Sequence, residues 1–199
     1  MTIFTHPQAL VWGEMDVPLL GMGKFLTGEP LEVPAAFSLV ADPKHLWFIA
    51  SHRRPALIHP KARPGMFQAE LWRYDVAELF LLEPLTGRYF EFNLAPNGAW
   101  WTCEFKAPRI REDEVEIAMP EVATFSEIAA DGSWVAAMAI PLDLLGARLG
   151  FGPNTRGNVT MILESPNQKF ASAADLGSGE PDFHQPARFP VIHFVSFPQ

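Results

Sequence analysis

The stretch from Leu71 to Trp101, LWRYDVAELFLLEPLTGRYFEFNLAPNGAWW, constrains the chain most, because it reads as a β-hairpin. Two runs rich in Val, Leu, Phe and Tyr flank the connection EPLTG, whose Pro84 and Gly87 suit a turn rather than a central strand. Side chains alternate between the two faces of a strand. In the second arm Phe90, Phe92 and Leu94 share one face, and Tyr89, Glu91 and Asn93 share the other. In the first arm Ala77, Leu79 and Leu81 form an apolar set opposite Trp72, Tyr74, Val76, Glu78 and Phe80. A one-residue slip would exchange the faces, so the favoured register keeps apolar with apolar. Leu79 and Leu81 then join Phe90 and Phe92 in a core. Glu78, Glu91 and Asn93 meet Trp72, Tyr89 and Phe80 on a second face, expected to be a shallow mixed surface. Arg73 and Asp75 share the parity of the core face, so the strand is expected to begin near Asp75 or to carry a bulge there.

The rest of the chain repeats this grammar of short strands and turns. Strands are expected at Phe37–Val40, His45–Ser51, Trp100–Lys106, Glu112–Met119, Phe125–Ile128, Trp134–Ile140, Asn158–Glu164 and Val191–Phe197. Glu112–Met119 alternates charge with apolar side chains and reads as an exposed edge. Asp131-Gly132 marks a hairpin turn. Pro141 opens one short helical turn that Gly150 can stop. The segments 52–70 and 165–190 are long loops, and loops of that length are often functional. Residues 1–34, punctuated by Pro7, Pro18, Pro30 and Pro34, read as an arm packed on a single domain of residues 35–199. The fold class that follows is all-β, an antiparallel sandwich or barrel with one minor helix.

Composition excludes several functions. A formal net charge of -8 over 199 residues argues against a nucleic-acid partner, whose phosphates need Lys and Arg. No apolar run approaches the ~20 residues of a membrane span, and the start lacks a basic signal-type segment, so the expected compartment is the cytoplasm. The lone Cys103 reads as a small core hydrophobe. No phosphate-binding loop, dinucleotide fingerprint, HExxH or GxSxG occurs. His52 and His59 share a loop without a third zinc-type ligand nearby. The sequon at Asn158 falls in an expected strand and is set aside.

Two features of the second face have alternative readings. Glu78 and Glu91 could serve as a glycosidase acid/base pair, which needs carboxyl groups roughly 5–10 Å apart. The preferred reading is a solvated pair, or one salt-bridged to Arg88. Trp72 could be core packing, or a platform for the apolar face of a pyranose whose hydroxyls bond neighbouring polar groups.

The hairpin with its aromatic flank resembles the family 9 carbohydrate-binding modules and their DOMON-like relatives. The residues carrying the resemblance are Trp72 with Asp75, VAELFL, and YFEFNLAPNGAWW, followed in the family's order by DGSWVAAMAIPLDLLG and PDFHQPARFPVIHF. They span roughly residues 43 to 197, and the nearest likeness is to a bacterial DOMON-like subgroup. The resemblance implies a two-sheet, jelly-roll-like β-sandwich in which two aromatic side chains clamp a terminal glucose-type sugar. Trp72 stands at the first clamp position and Phe183 at the second, where the family usually has tryptophan. Glu78 matches a hydroxyl-binding carboxylate. Asn93 falls near a sugar-binding arginine, Thr160 (or Met161, one register away) near a glutamine, and Glu180 near an asparagine. The aromatic frame is partly kept and the polar set is altered. The family's calcium sites are implied but map to no particular residues here. DOMON relatives that carry haem use a Met and a His, for which Met66 and His184 are the candidates.

The expectation is therefore a non-catalytic β-sandwich without a cofactor. It binds a small carbohydrate or another polar small molecule through Trp72, Glu78, Asn93, Thr160 and Phe183. The loops 52–70 and 165–190 border that site. The alternatives are an interaction domain that has lost its sugar and meets a protein partner or a second copy of itself, a glycoside hydrolase using Glu78 and Glu91, and a haem-binding DOMON domain.

Overall fold

The computed structural model describes residues 1–113, 121–177 and 180–197. The expected hairpin is present as β5 (Val76–Leu82) and β6 (Tyr89–Leu94). Leu79 pairs with Phe92 and Leu81 with Phe90, the register that apolar matching requires. Gly87 closes the connection at φ 77, a conformation that costs glycine little because it has no Cβ. The strand starts after Asp75. Trp72 is thus not a strand residue: it sits on a 3-10 turn, Leu71–Arg73, whose Leu71 is buried. The parity conflict at Arg73 and Asp75 ends there, since those residues precede the pleat.

Two sheets pack face to face. One contains, in spatial order, β12 (Lys169–Ser172), β11 (Arg156–Leu163), β5, β6, β7 (Trp100–Ala107) and β8 (Ile110–Arg111). The other runs β13 (His193–Ser196), β1 (Thr2–Thr5), β3 (Pro30–Ala41), β4 (His45–His52), β10 (Trp134–Pro141) and β9 (Ala123–Ile128), with β2 (Leu20–Lys24) also on β3. Pairing is antiparallel except at β1, which runs parallel to both β13 and β3. Residues 1–34 thus supply two strands, and β3 crosses the expected boundary at residue 34. The expected second long loop contains β12, short enough to read as polar loop in the sequence. The helix α1 (Leu142–Leu149) follows Pro141 and stops at Gly150, as its end signals predict. Most of the expected strand Glu112–Met119 lies outside the described residues; β8 ends just before it.

The core between the sheets takes Ala77, Leu79, Leu81, Phe90, Phe92 and Leu94 from one sheet and Leu39, Leu46, Phe48, Ala50, Ala136, Met138 and Ile140 from the other. The remaining faces are covered by the chain's own segments. Leu10, Trp12, Met15 and Val17 pack over Trp47 and Ile49 on the outer face of the second sheet. Asp42 fixes that cover by accepting hydrogen bonds from the Leu10 amide (3.0 Å) and the Trp47 indole (2.8 Å).

The outer face of the first sheet is where the functional argument lies, and buried Asp75 organises its roof. Its carboxylate accepts from the Leu57 amide at 3.1 Å and the Ser165 amide at 2.8 Å, tying the two long loops to the start of β5. Asp75→Ala removes both acceptors. It is expected to lower unfolding free energy by about 3 kcal/mol in urea denaturation, since hydrogen bonds to charged groups contribute roughly 1.5–3 kcal/mol each. Asp75→Asn retains one acceptor oxygen and should lose less. Equal stability of all three proteins would show that the loops are held by something else.

Candidate functional site

The site is built from the sheet outward. Register aligns Thr160 of β11, Glu78 of β5, Asn93 of β6 and Trp101 of β7 as successive cross-strand neighbours in one row. The adjacent row holds Asn158, Phe80, Glu91 and Cys103. Glu78 and Glu91 are therefore diagonal neighbours on one sheet face. The expected shallow surface is instead a roofed cleft of about 380 Å³. Its floor includes Glu78, Glu91, Trp101 and Ile162. Its walls come from Trp72 on the 3-10 turn, Gln168 and Phe170 near β12, and Phe183 and His184 in the following loop. Phe105 of β7, Arg109 in the β7–β8 connection, Arg111 of β8 and Pro181 complete the lining. The Gln168 side chain donates to the Trp72 carbonyl at 2.9 Å, which locks the two walls together. Trp72 meets Trp101 edge to face at 5.0 Å, and Phe183 meets Phe170 likewise at 5.8 Å.

Of the residues singled out in the sequence, Trp72, Glu78 and Phe183 line this cleft. Thr160 stands behind Glu78, its hydroxyl donating to that carboxyl at 2.8 Å. Asn93 is fully buried in the same row and does not line the cleft. Its amide makes no hydrogen bond of good geometry, but it lies close enough to Glu91 to favour the charged carboxylate. Glu180 is outside the lining, although Pro181 beside it is inside. Arg88 does not reach Glu78 or Glu91; it pairs with Glu104, which also takes Arg148. The two floor carboxyls are therefore neither solvated nor salt-bridged to Arg88.

Electrostatics follow from burial. Glu78 is 3% exposed, and desolvation pushes its carboxyl up to about 7 against the stabilising Thr160 bond. Glu91 is raised well above the ordinary value, first by burial and then by the charge of Glu78. Asn93, Arg111 and Arg109 oppose that shift. His184 is pushed down to about 4, by burial first and then by Arg109. The floor thus carries a Glu91 carboxyl biased toward its protonated form, a Glu78 that is partly ionised at neutral pH and can accept, and a neutral imidazole. Tyr89 Oη and His184 Nδ1 are hydrogen-bonded at 2.7 Å, and His184 Nε2 faces Glu91 at 3.6 Å. His184 is committed to that network. Met66 is 60% exposed on its loop and does not line the cleft, whereas His184 does. Among the described residues, no three His, Cys, Asp or Glu side chains gather to hold a metal ion, and calcium is assigned to none of them.

Arg109, Arg111, Trp101, Gln168 and Phe170 were not recognised from sequence. Trp101 carried a usable signal, since it continues the outward parity of Cys103 and Phe105. The arginines sit in APRIRED, whose charges read as a solvated connection, and the β7–β8 pairing that turns them inward leaves no periodic trace in two residues.

The sequence matches no family model and no curated protein. Solved structures do match. The fold is that of the family 9 carbohydrate-binding modules. One similar structure is a candidate carbohydrate-binding protein from Bacteroides uniformis ATCC 8492, with TM-score 0.70, 15% identity and 98% of each chain covered. Two others are family 9 modules from Caldicellulosiruptor kristjanssonii. One, in complex with cellotriose, has TM-score 0.64, 13% identity and coverage of 98% of this chain and 93% of that one. The other, in complex with glucose, has TM-score 0.62, 12% identity and coverage of 98% and 96%. Among the described residues, no helix is long and apolar enough to cross a membrane.

Proposed function

We propose that the chain is a non-catalytic binding domain for a small carbohydrate, seated in the cleft between Trp72 and Phe183 over Glu78 and Glu91. The observation that carries this reading is the floor itself. Two carboxyls held out of water and exposed to a cavity are costly to keep. They gain partners when a ligand brings hydroxyl groups. Aromatic walls match the apolar C–H faces of the same molecule. Saccharides bound to two modules of the same fold support the choice of ligand class.

The hydrolase alternative fits the geometry less well. Acid and base in a glycosidase flank the scissile bond on opposite sides. Glu78 and Glu91 rise side by side from one sheet face. The partner-protein alternative expected an open aromatic patch, whereas this face is roofed by two loops.

Tryptophan fluorescence titrated with mono- and disaccharides tests the proposal, with Trp72 and Trp101 as reporters. A saturable shift with at least one sugar is expected. Flat traces across the panel, with a mass that rises with concentration in light scattering, would favour the interaction reading. Turnover of aryl glycosides that disappears in both Glu78→Gln and Glu91→Gln would restore the enzyme reading.

A further inference from the structure

We infer that His184 is a specificity-determining residue of the cleft: its Nε2–H and the Glu91 carboxyl together grip one hydroxyl of the saccharide, and Tyr89 holds the imidazole in the tautomer that this grip requires. This rests on the carbohydrate reading of the cleft and adds the group that selects a hydroxyl. His184 and Glu91 both line the cleft. Nε2 lies 3.6 Å from Glu91 Oε2, too far for a direct hydrogen bond and near enough for one oxygen atom in the cleft to reach both. A hydroxyl suits that gap because it accepts and donates at once. It accepts from Nε2–H and donates to a Glu91 oxygen. A carboxyl keeps an accepting oxygen whether or not it is protonated, so the grip does not depend on the charge of Glu91.

The tautomer follows from counting donors around Tyr89, whose side chain is fully buried. Its Oη accepts from the Arg109 amide at 3.2 Å and lies 2.7 Å from His184 Nδ1. Were Nδ1 protonated, Oη would accept twice, and the hydroxyl proton would meet no acceptor among the described residues. A buried donor left unpaired in this way is costly. With Nδ1 bare, Oη donates to it, every group is paired, and the ring proton stands on Nε2, toward Glu91. The ring is also fixed in place. Phe105 and Phe80 meet it edge to face at 5.0 and 5.7 Å. The His184 amide donates to Asp182 Oδ1 at 2.8 Å, and the same oxygen takes Arg109 Nη2 at 2.7 Å. His184 is thereby tied to the turn that supplies the Arg109 amide. A donor held this rigidly loses little freedom when a ligand arrives. Tyr89 is outside the lining and acts only through the imidazole, as a positioning residue.

Long-range proton–nitrogen correlation NMR of the full chain at neutral pH reads the tautomer without any ligand. His184 Nε2 is expected to carry the proton, and Tyr89→Phe, which removes the hydroxyl, is expected to admit the other tautomer. Calorimetric titration with D-glucose, D-galactose and D-mannose reads the grip. His184→Phe keeps a ring against Phe80 and Phe105 and is expected to weaken the tightest of the three by about three- to tenfold, the worth of one neutral hydrogen bond. His184→Gln carries an amide N–H at about the reach of Nε2 and should recover part of that loss. One monodeoxy derivative of the same sugar should bind the unmodified chain more weakly by a similar factor and lose nothing further in His184→Phe. Near-UV circular dichroism reports whether each variant is folded, and the spectrum and the deoxy series on the unmodified chain need no variant. Nε2 without its proton, or a folded His184→Phe that binds that sugar as tightly as the unmodified chain, would overturn the inference and leave the carbohydrate reading standing. No binding of any of the three sugars by the unmodified chain would overturn both.

Discussion

Trp72→Ala is expected to lose saccharide binding by at least about 30-fold, roughly 2 kcal/mol, while the sandwich stays folded. Aromatic anchors in desolvated sites dominate binding energies, and their truncation typically costs 2 kcal/mol or more. The structure explains why fold and binding separate here. Trp72 is half-buried on a 3-10 turn outside the sheets, and its main inward contact is the edge of Trp101. The turn itself is anchored by buried Leu71 and by the Gln168 bond to the Trp72 carbonyl, neither of which needs the indole. Trp72→Phe should keep a stacking surface and recover part of the affinity. Titration calorimetry and thermal melts on the same samples check both halves. A variant that unfolds would show that the indole is core packing. A folded variant with unchanged affinity would move the ligand away from this wall.

The core of the fold was legible because it depends on parity. Leu79, Leu81, Phe90 and Phe92 could be paired from sequence because only one register keeps all four buried. The helix at Leu142–Leu149 was legible because Pro and Gly mark its ends by backbone constraints that act locally. What parity does not encode is cover. Whether Glu78 and Glu91 face water depends on loops far apart in sequence, joined through Asp75. Trp72 precedes the strand, and the 3-10 turn folds it over the face that its parity suggested. Arg109 and Arg111 depend on a tight two-residue pairing at an edge, where too few residues exist for a period to show.

The second large effect is on stability, and its sign runs opposite to the usual behaviour of acidic residues. Glu78→Gln is expected to become progressively more stable than the wild type as pH rises from 4.5 to 7. In the unfolded chain Glu78 ionises near 4.5; in the folded one burial holds it up to about 7, with Thr160 opposing. Between those values the folded state binds more protons, so stability falls with rising pH by up to about 1.4 kcal/mol per unit. Over the window this is about 3 kcal/mol, and above 7 it levels off. Glu91, raised by burial first and then by the charge of Glu78, acts in the same sense. His184 acts in the opposite sense. Burial and Arg109 lower it to about 4, so the unfolded state gains a proton first as pH falls below 6.5, and stability is lost toward pH 4. The raw profile is thus flattened between 4.5 and 6.5, and the difference between wild type and Glu78→Gln cancels the His184 contribution, leaving the Glu78 carboxyl together with the effect of its charge on Glu91. Urea denaturation at pH 4.5 and 8 should show that difference grow by about 3 kcal/mol, or a melting-temperature gap wider by roughly 6–12 °C. A Gln variant less stable than wild type at pH 8 would mean that Glu78 is ionised at no cost, with a charge partner that supports it. If the gap opens as expected while the same variant binds saccharide more weakly, the buried carboxyl is kept for the ligand at the expense of the fold.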